Sequence, residues 1–352
     1  DGALDPANDM PAIVQFLDRG DDSLDLGLAG VRPHHDNHGN NPLRVNLGIA
    51  TKPGDKSGGG LHQDGTGKQS LVSLMVYNEP RVNAEIVGRF GRATRRVRTQ
   101  LPAKPRKSLK FVHTSDVHLE TDTFGATDAG VKLRDKVRQA FANVIDVANH
   151  RDADLLLIVG DLFDSSRVSE EGLAFAFGTI ARAKMPVVMI PGNHDAHDER
   201  SIYAKLSPSV FPKNLHLILE PEGRVLDFPE LEVRLWGRAI VEHTPEYRPL
   251  GGMPEPHPEL WNIGLAHGFY TEDAENMRSS PITPEEIERS GYHYIALGHV
   301  HVFNDVSQGS TRALYCGTPA PLYASDSAGW VAVVDCIPGQ PLRIDKVTVK
   351  AD

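Results

Sequence analysis

A chain of 352 residues with a formal charge of -10 and 40% hydrophobic residues is long enough for one large or two ordinary soluble domains. Its acidity excludes a protein that coats nucleic acid by electrostatics alone, which needs lysines and arginines against phosphates, but not an enzyme that approaches DNA through bound cations. Two cysteines, Cys316 and Cys336, exclude a disulfide framework or a cysteine zinc site, and both are expected as unpaired thiols on strands.

The charge is unevenly spread. Residues 81–110 carry 10 basic groups against 1 acidic group, whereas residues 111–352 carry 21 against 35. No stretch approaches the roughly 18 apolar residues of a membrane span, and no signal-peptide pattern is visible, so a cytoplasmic setting is expected. The chain opens on Asp1, which leaves any preceding segment open.

Residues 1–107 are rich in Gly, Asp, Asn and Pro, with short apolar patches at 12–17 and 71–77. They are expected to form a low-complexity, weakly structured and largely disordered extension. Within it the arginines of GRATRRVR (91–98) read as a basic linker, with a nucleic-acid contact as the sharper alternative. His34, His35 and His38 are irregularly spaced in a polar stretch and read as adventitious metal binders. GTGKQ at 65–69 is no phosphate loop, because His62 and Gln69 stand where that motif needs Gly and Ser or Thr.

From Ser108 strands alternate with helices. SLKFVHTS is a strand, and residues 133–150 are an amphipathic helix presenting Val137, Phe141, Val144, Ile145 and Ala148 on one face. Strand DLLLIVG, a helix over 170–183 and strand PVVMI follow, a βαβαβ run that implies a largely parallel sheet with right-handed crossovers. A helix over 283–291 carries its own punctuation: Thr283 as cap, Pro284 in the first turn, Glu286 closing a capping box and Gly291 as the stop. Short β segments dominate thereafter, which predicts a second sheet packed on the first.

Every informative polar cluster falls where a strand ends, the place where open α/β sheets build their sites. The clusters are Ser115-Asp116-Val117-His118, Gly160-Asp161-Leu162-Phe163-Asp164, Gly192-Asn193-His194-Asp195, Ala266-His267-Gly268 and Gly298-His299-Val300-His301. Carboxylate and amide oxygens mixed with imidazoles suit Mn, Fe or Zn better than Mg or Ca. Two Asp, one Asn and four His are too many for one tetrahedral ion but fit two divalent ions sharing a bridging carboxylate. The alternation of Asp116 with His118, and of His299 with His301, is read as two side chains on one side of an extended segment. Flanking glycines allow close backbone approach.

The succession DVH, GDLFD, GNHD, a lone His after a strand, and GHVH resembles the calcineurin-like metallophosphoesterase superfamily over roughly residues 108–350. The resemblance implies an α/β, four-layer αββα sandwich of two mixed sheets as a catalytic domain over 108–352. It implies one metal held by Asp116, His118, Asp161 and His301, a second held by Asp161, Asn193, His267 and His299, and Asp161 as the bridge. It also implies His194 as the proton donor, oriented by Asp195 or Asp164, with a metal-bridging hydroxide as nucleophile.

The wording HTSDVHL, GDLFDSSRVS and GYHYIALGHVH is most similar to the DNA repair exonucleases of the Mre11 and SbcD group. That likeness implies a manganese-dependent phosphodiesterase acting on DNA. A phosphodiesterase or phosphatase for a small nucleotide-like molecule or a phosphoprotein is the alternative, and a non-catalytic scaffold is a remote one. Relatives in that group continue into a capping region and a segment for an ATPase partner of the SbcC/Rad50 type. Here the sequence ends at Asp352, soon after its last expected strand, so that partnership stays open.

Overall fold

The computed structural model describes residues 106–272, 279–322 and 329–349, together with the backbone of four strands within residues 43–100. The chain divides into two units, Asp1–Lys104 and Pro105–Asp352.

In the first unit, β1 (Leu43–Leu47), β2 (Val72–Val76), β3 (Asn83–Phe90) and β4 (Ala93–Gln100) form an antiparallel sheet in that order. The arginine-rich stretch expected as a linker therefore contains a strand, with Arg96 opposite Val87 and Arg98 opposite Glu85. The three histidines at 34, 35 and 38 and the GTGKQ segment lie outside the described residues. The extension expected through residue 107 also ends sooner. The Arg106 guanidinium donates to the Pro258 carbonyl, and the Lys107 backbone N–H donates to Glu232, so both residues pack with the second unit.

The second unit is built on two six-stranded mixed sheets. The first contains β5 (Leu109–Thr114), β6 (Leu155–Val159), β7 (Val187–Ile190), β8 (Leu215–Leu217), β17 (Trp330–Cys336) and β18 (Arg343–Thr348), in the order β18-β17-β5-β6-β7-β8. β5 to β8 pair in parallel, whereas β17 and β18 add antiparallel. The second contains β9 (Arg224–Phe228), β10 (Val233–Gly237), β11 (Trp261–His267), β14 (Tyr294–Gly298), β15 (Phe303–Asp305) and β16 (Arg312–Cys316), in the order β15-β16-β14-β11-β10-β9. A small parallel pair, β12 (Phe269–Tyr270) with β13 (Pro281–Ile282), lies beyond β11.

Period-two alternation decides the layers. Phe111, Leu155, Leu157, Val159, Val188 and Ile190 point between the sheets and meet Leu235, Ile263, Leu265, Tyr294, Ala296 and Leu314. Val112, Leu156, Ile158, Val187 and Met189 point the other way, onto helices α1 (Asp128–His150) and α2 (Glu170–Ile180). Across the second sheet, Ile295, Leu297, Ala313 and Tyr315 bury against Ile287 of α4 (Pro284–Ser290). Helix, sheet, sheet and helix give the expected four layers, although α4 alone is thin cover and Leu250 and Tyr292 from adjoining loops complete it.

The helices follow their caps. α1 begins five residues earlier than its apolar period suggested, because the Thr127 hydroxyl accepts from Gly130 N and starts a polar first turn at Asp128. Its buried stripe includes all five of the expected residues, Val137 to Ala148. α2 starts at a Ser169 cap, and α3 (Ile202–Lys205) is a single turn. α4 has the full capping box between Thr283 and Glu286 and stops at Gly291, whose φ is 61°. Cys316 and Cys336 are both buried free thiols, and no helix among the described residues is long and apolar enough to cross a membrane.

Candidate metal centre

β5, β6 and β7 of one sheet and β11 and β14 of the other end at the same edge of the sandwich, and the polar clusters follow those ends. The backbones there leave the extended region. Asp116, His118, Asp161 and His299 have φ values of 54°, 55°, 52° and 102°, a region that non-glycine residues rarely adopt. The expectation that Asp116 with His118, and His299 with His301, alternate along extended segments is therefore corrected. β5 stops at Thr114 and β14 at Gly298, and the side chains converge through left-handed turns. Those turns are held by the neighbouring strand end: Asp116 N donates to Gly160 O at 3.1 Å, His118 N to Asp161 O at 3.0 Å and Leu119 N to Leu162 O at 2.8 Å.

The seven candidate ligands come together in one row, with His194 at its rim. At one end, His118 Nε2 lies 3.2 Å from His301 Nε2. His301 Nε2 is 3.9 Å from Asp116 Oδ1, and His118 Nε2 is 3.8 Å from Asp161 Oδ2. At the other end, His267 Nε2 is 3.2 Å from the same Asp161 Oδ2. Asn193 Oδ1 stands 3.0 Å from His267 Nε2 and 2.8 Å from His299 Nδ1. Asp161 thus lies between two groups of donors.

The surrounding hydrogen bonds fix which ring nitrogen faces inward. His118 Nδ1 meets Asp164 Oδ1 at 2.9 Å, and His267 Nδ1 meets the Val159 carbonyl at 2.9 Å. In each case Nδ1 donates to an oxygen, which leaves Nε2 as the atom turned to the row, the usual support of a metal-binding imidazole. The Asp116 carboxylate accepts from the Ser115 hydroxyl and, at 2.9 and 3.1 Å, from His299 N. Asp161 Oδ1 accepts from His194 N at 2.8 Å, which leaves Oδ2 facing the row.

Electrostatics match this geometry. Burial opposes the charge on Asp161, but His267, by charge and hydrogen bond, and then His118 and His194 outweigh it, so its carboxyl is held well below the usual range. Burial likewise lowers His267, yet Asp161 and Asp116 raise it to about 9. His118 is also raised, its burial overcome by the Asp164 hydrogen bond and the charges of Asp161 and Asp116. His299 goes the other way, to about 3, through burial and the nearby His267. Buried carboxylates facing imidazole lone pairs are costly unless protons or cations lie between them. Oxygens and nitrogens converging on a shared carboxylate fit two divalent cations.

His194 occupies the rim, its side chain 39% exposed. Its ring packs edge-on against His118 at 4.6 Å, and its Nδ1 is 3.0 Å from the Asp164 carbonyl. Asp164, expected as one of two orienting candidates, touches the ring in this way. Asp195 does not. It is buried, where Oδ1 accepts from Gly192 N at 2.7 Å and Asp161 N at 3.2 Å, and Oδ2 accepts from Phe163 N at 3.2 Å and from the Tyr203 hydroxyl. Burial and Asp161 raise its pKa. Asp195 therefore ties the β6 and β7 ends together. Tyr203, on the single turn of α3, carries no sequence signal for its part in this.

Two glycines explain how so many side chains fit. At Gly160, φ is 83°, and a Cβ would fall 2.1 Å from His267 Nδ1. At Gly298 a Cβ would fall 1.9 Å from the Val159 carbonyl and 2.7 Å from the same His267 nitrogen. A side chain at either position would displace that imidazole.

The model of the calcineurin-like phosphoesterase family matches residues 109–303, more than half of the chain. The uncharacterized metallophosphoesterase YhaO of Bacillus subtilis is 26% identical over 225 residues, covering 59% of this chain and 52% of YhaO. The SbcD component of the nuclease SbcCD from the same organism is 23% identical over 286 residues, 69% of this chain and 70% of that protein. A probable cyclic nucleotide phosphodiesterase of Fibrobacter succinogenes is 36% identical over 123 residues, 35% of this chain and 45% of that protein. The chain thus spans about half the length of the first of these relatives.

Proposed function

From a chain that belongs to the calcineurin-like phosphoesterase family, and is a metal-dependent phosphoester hydrolase, we propose a phosphodiesterase that cleaves DNA, a nuclease of the SbcD and Mre11 kind. The observation that carries it is the convergence of Asp116, His118, Asp161, Asn193, His267, His299 and His301 in one row, with His118 and His267 both facing Asp161 Oδ2. In this reading Asp116, His118, Asp161 and His301 hold one cation, Asp161, Asn193, His267 and His299 hold the other, and manganese is the metal in use. Bound there, the cations supply charge neutralisation at the phosphoryl group and acidify water at neutral pH.

The protein's own residues do the rest. Asp164 and Val159 keep the Nδ1 protons of His118 and His267, so both Nε2 atoms stay basic towards the row. The Asp164 carbonyl takes the Nδ1 hydrogen bond of His194 and leaves Nε2 to deliver a proton to the departing oxygen. Asp195 keeps Asp161 in register with Gly192 and so with Asn193. DNA as substrate is supported by the likeness to the SbcD nuclease across 69% of the chain. A cytoplasmic setting belongs to the same proposal.

A second reading, a phosphodiesterase for a small nucleotide, is favoured by the shorter but closer match to the cyclic nucleotide phosphodiesterase and by the acidity of residues 111–352. Purified protein with manganese, offered end-labelled single- and double-stranded DNA beside bis-p-nitrophenyl phosphate, separates the two. The nuclease reading expects all to be cut. Hydrolysis of the small ester with intact DNA would refute it in favour of the second.

A further inference from the structure

We propose that His243 is a substrate-binding residue of this site, whose imidazole contacts a phosphoryl oxygen at the His299 end of the row; the proposal rests on the phosphodiesterase reading above. His243 belongs to none of the strand-end clusters named from the sequence. It lies beyond β10, the neighbour of β11, and β11 ends in His267, so the chain leaving β10 runs past the His267 and His299 end of the row. There the His243 ring stands 5.2 Å from the His299 ring, tilted by 52°. His194 stands against His118 at the other end. Two exposed imidazoles therefore flank the row of candidate ligands.

The position of His243 is built. Its Nδ1 lies 3.0 Å from the hydroxyl of Ser280, a fully buried residue with φ at 54°. Ser280 N donates to the Thr244 carbonyl at 2.8 Å, and Phe269 N donates to the Ser280 carbonyl at 2.9 Å. These bonds tie the His243 stretch to the chain that leaves His267. An exposed side chain held this firmly gives up rotamer freedom without burying apolar surface, so a ligand is the natural compensation. With Nδ1 engaged by Ser280, Nε2 is the atom that offers the contact. A hydrogen-bond donor beside His299 complements an anionic phosphate.

His243→Ala and His243→Gln test this in the full-length protein loaded with manganese. Losing a hydrogen bond to a charged phosphate predicts roughly a ten- to hundredfold rise in KM for bis-p-nitrophenyl phosphate. A smaller change in kcat and partial recovery in the glutamine variant are also expected. Inorganic phosphate, titrated calorimetrically, is expected to bind more weakly to His243→Ala by a similar factor, with manganese content and thermal stability retained. Unchanged phosphate affinity overturns the proposal, and so does loss of manganese or of folding, which would make His243 a ligand or a structural pin. If the unaltered protein hydrolyses no diester yet phosphate binding still depends on His243, the phosphodiesterase reading fails and the phosphate contact stands.

Discussion

Asp161 and His194 carry separable predictions because one sits inside the row and the other on its rim. Asp161 Oδ2 faces both donor groups, so Asp161→Ala is expected to lose both cations and, with them, all measurable turnover. Metal analysis of the purified variant checks this, and two retained ions would contradict a shared carboxylate. His194 touches the row only through its backbone N–H and the His118 ring. His194→Asn is therefore expected to keep both cations while kcat falls about 10²–10⁴-fold, the usual worth of a general acid. The convergence of these side chains is legible in the sequence for one physical reason: candidate ligands are Asp, Asn or His, and strand ends deliver them. Asp195 is the exception, because adjacency to His194 suggests partnership, whereas the turn sends its carboxylate inward to three backbone N–H groups and Tyr203. His243 is not legible at all, since it lies well past the end of β10 at Gly237 and belongs to none of the strand-end clusters.

Strand ends and turns decide whether those residues meet. Asp195→Ala would orphan the buried N–H groups of Asp161, Phe163 and Gly192. The expected loss is about 3 kcal/mol or more of unfolding free energy, measurable by urea denaturation of the metal-free protein. Gly298→Ala has a different signature, since its Cβ would strike the Val159 carbonyl and His267. It is expected to lower metal affinity even where the fold survives, which calorimetric titration of manganese reads directly. Helices α1, α2 and α4 are legible from apolar period and capping residues, with errors only at frayed or capped ends. The left-handed conformations at Asp116, His118, Asp161 and His299 are not, because no residue type there demands positive φ. Glycine would be the usual signal, and it appears beside Asp161 and His299, as Gly160 and Gly298, rather than at them.

Across the whole molecule, two sheets packed face to face also bury titratable groups that are not part of the row. His113 is fully buried between them, with Nδ1 3.0 Å from the Tyr294 hydroxyl, and burial lowers its pKa to about 3. Below its ordinary value near 6.5 the unfolded chain takes a proton that the folded protein refuses. Stability is thus full above about pH 6.5 and falls as pH drops towards 3, by on the order of 4 kcal/mol from this group alone. His113→Phe is expected to flatten that slope by about one proton in urea denaturation across pH 4–7, and an unchanged slope would contradict it. Layer order is legible only through the family resemblance, because β6 and β7 are apolar at every position and it is the fold that sorts their side chains between the sheets and the helices. The sheet formed by β1 to β4 is not, since Gly- and Asp-rich surroundings mask short apolar runs. Dependence of phosphoester hydrolysis on two cations held at one sandwich edge is read by titrating manganese into metal-stripped protein while following hydrolysis of bis-p-nitrophenyl phosphate. Activity absent at the start and saturating at two ions per chain is the predicted result; full activity without metal, or saturation at a single ion, would contradict it.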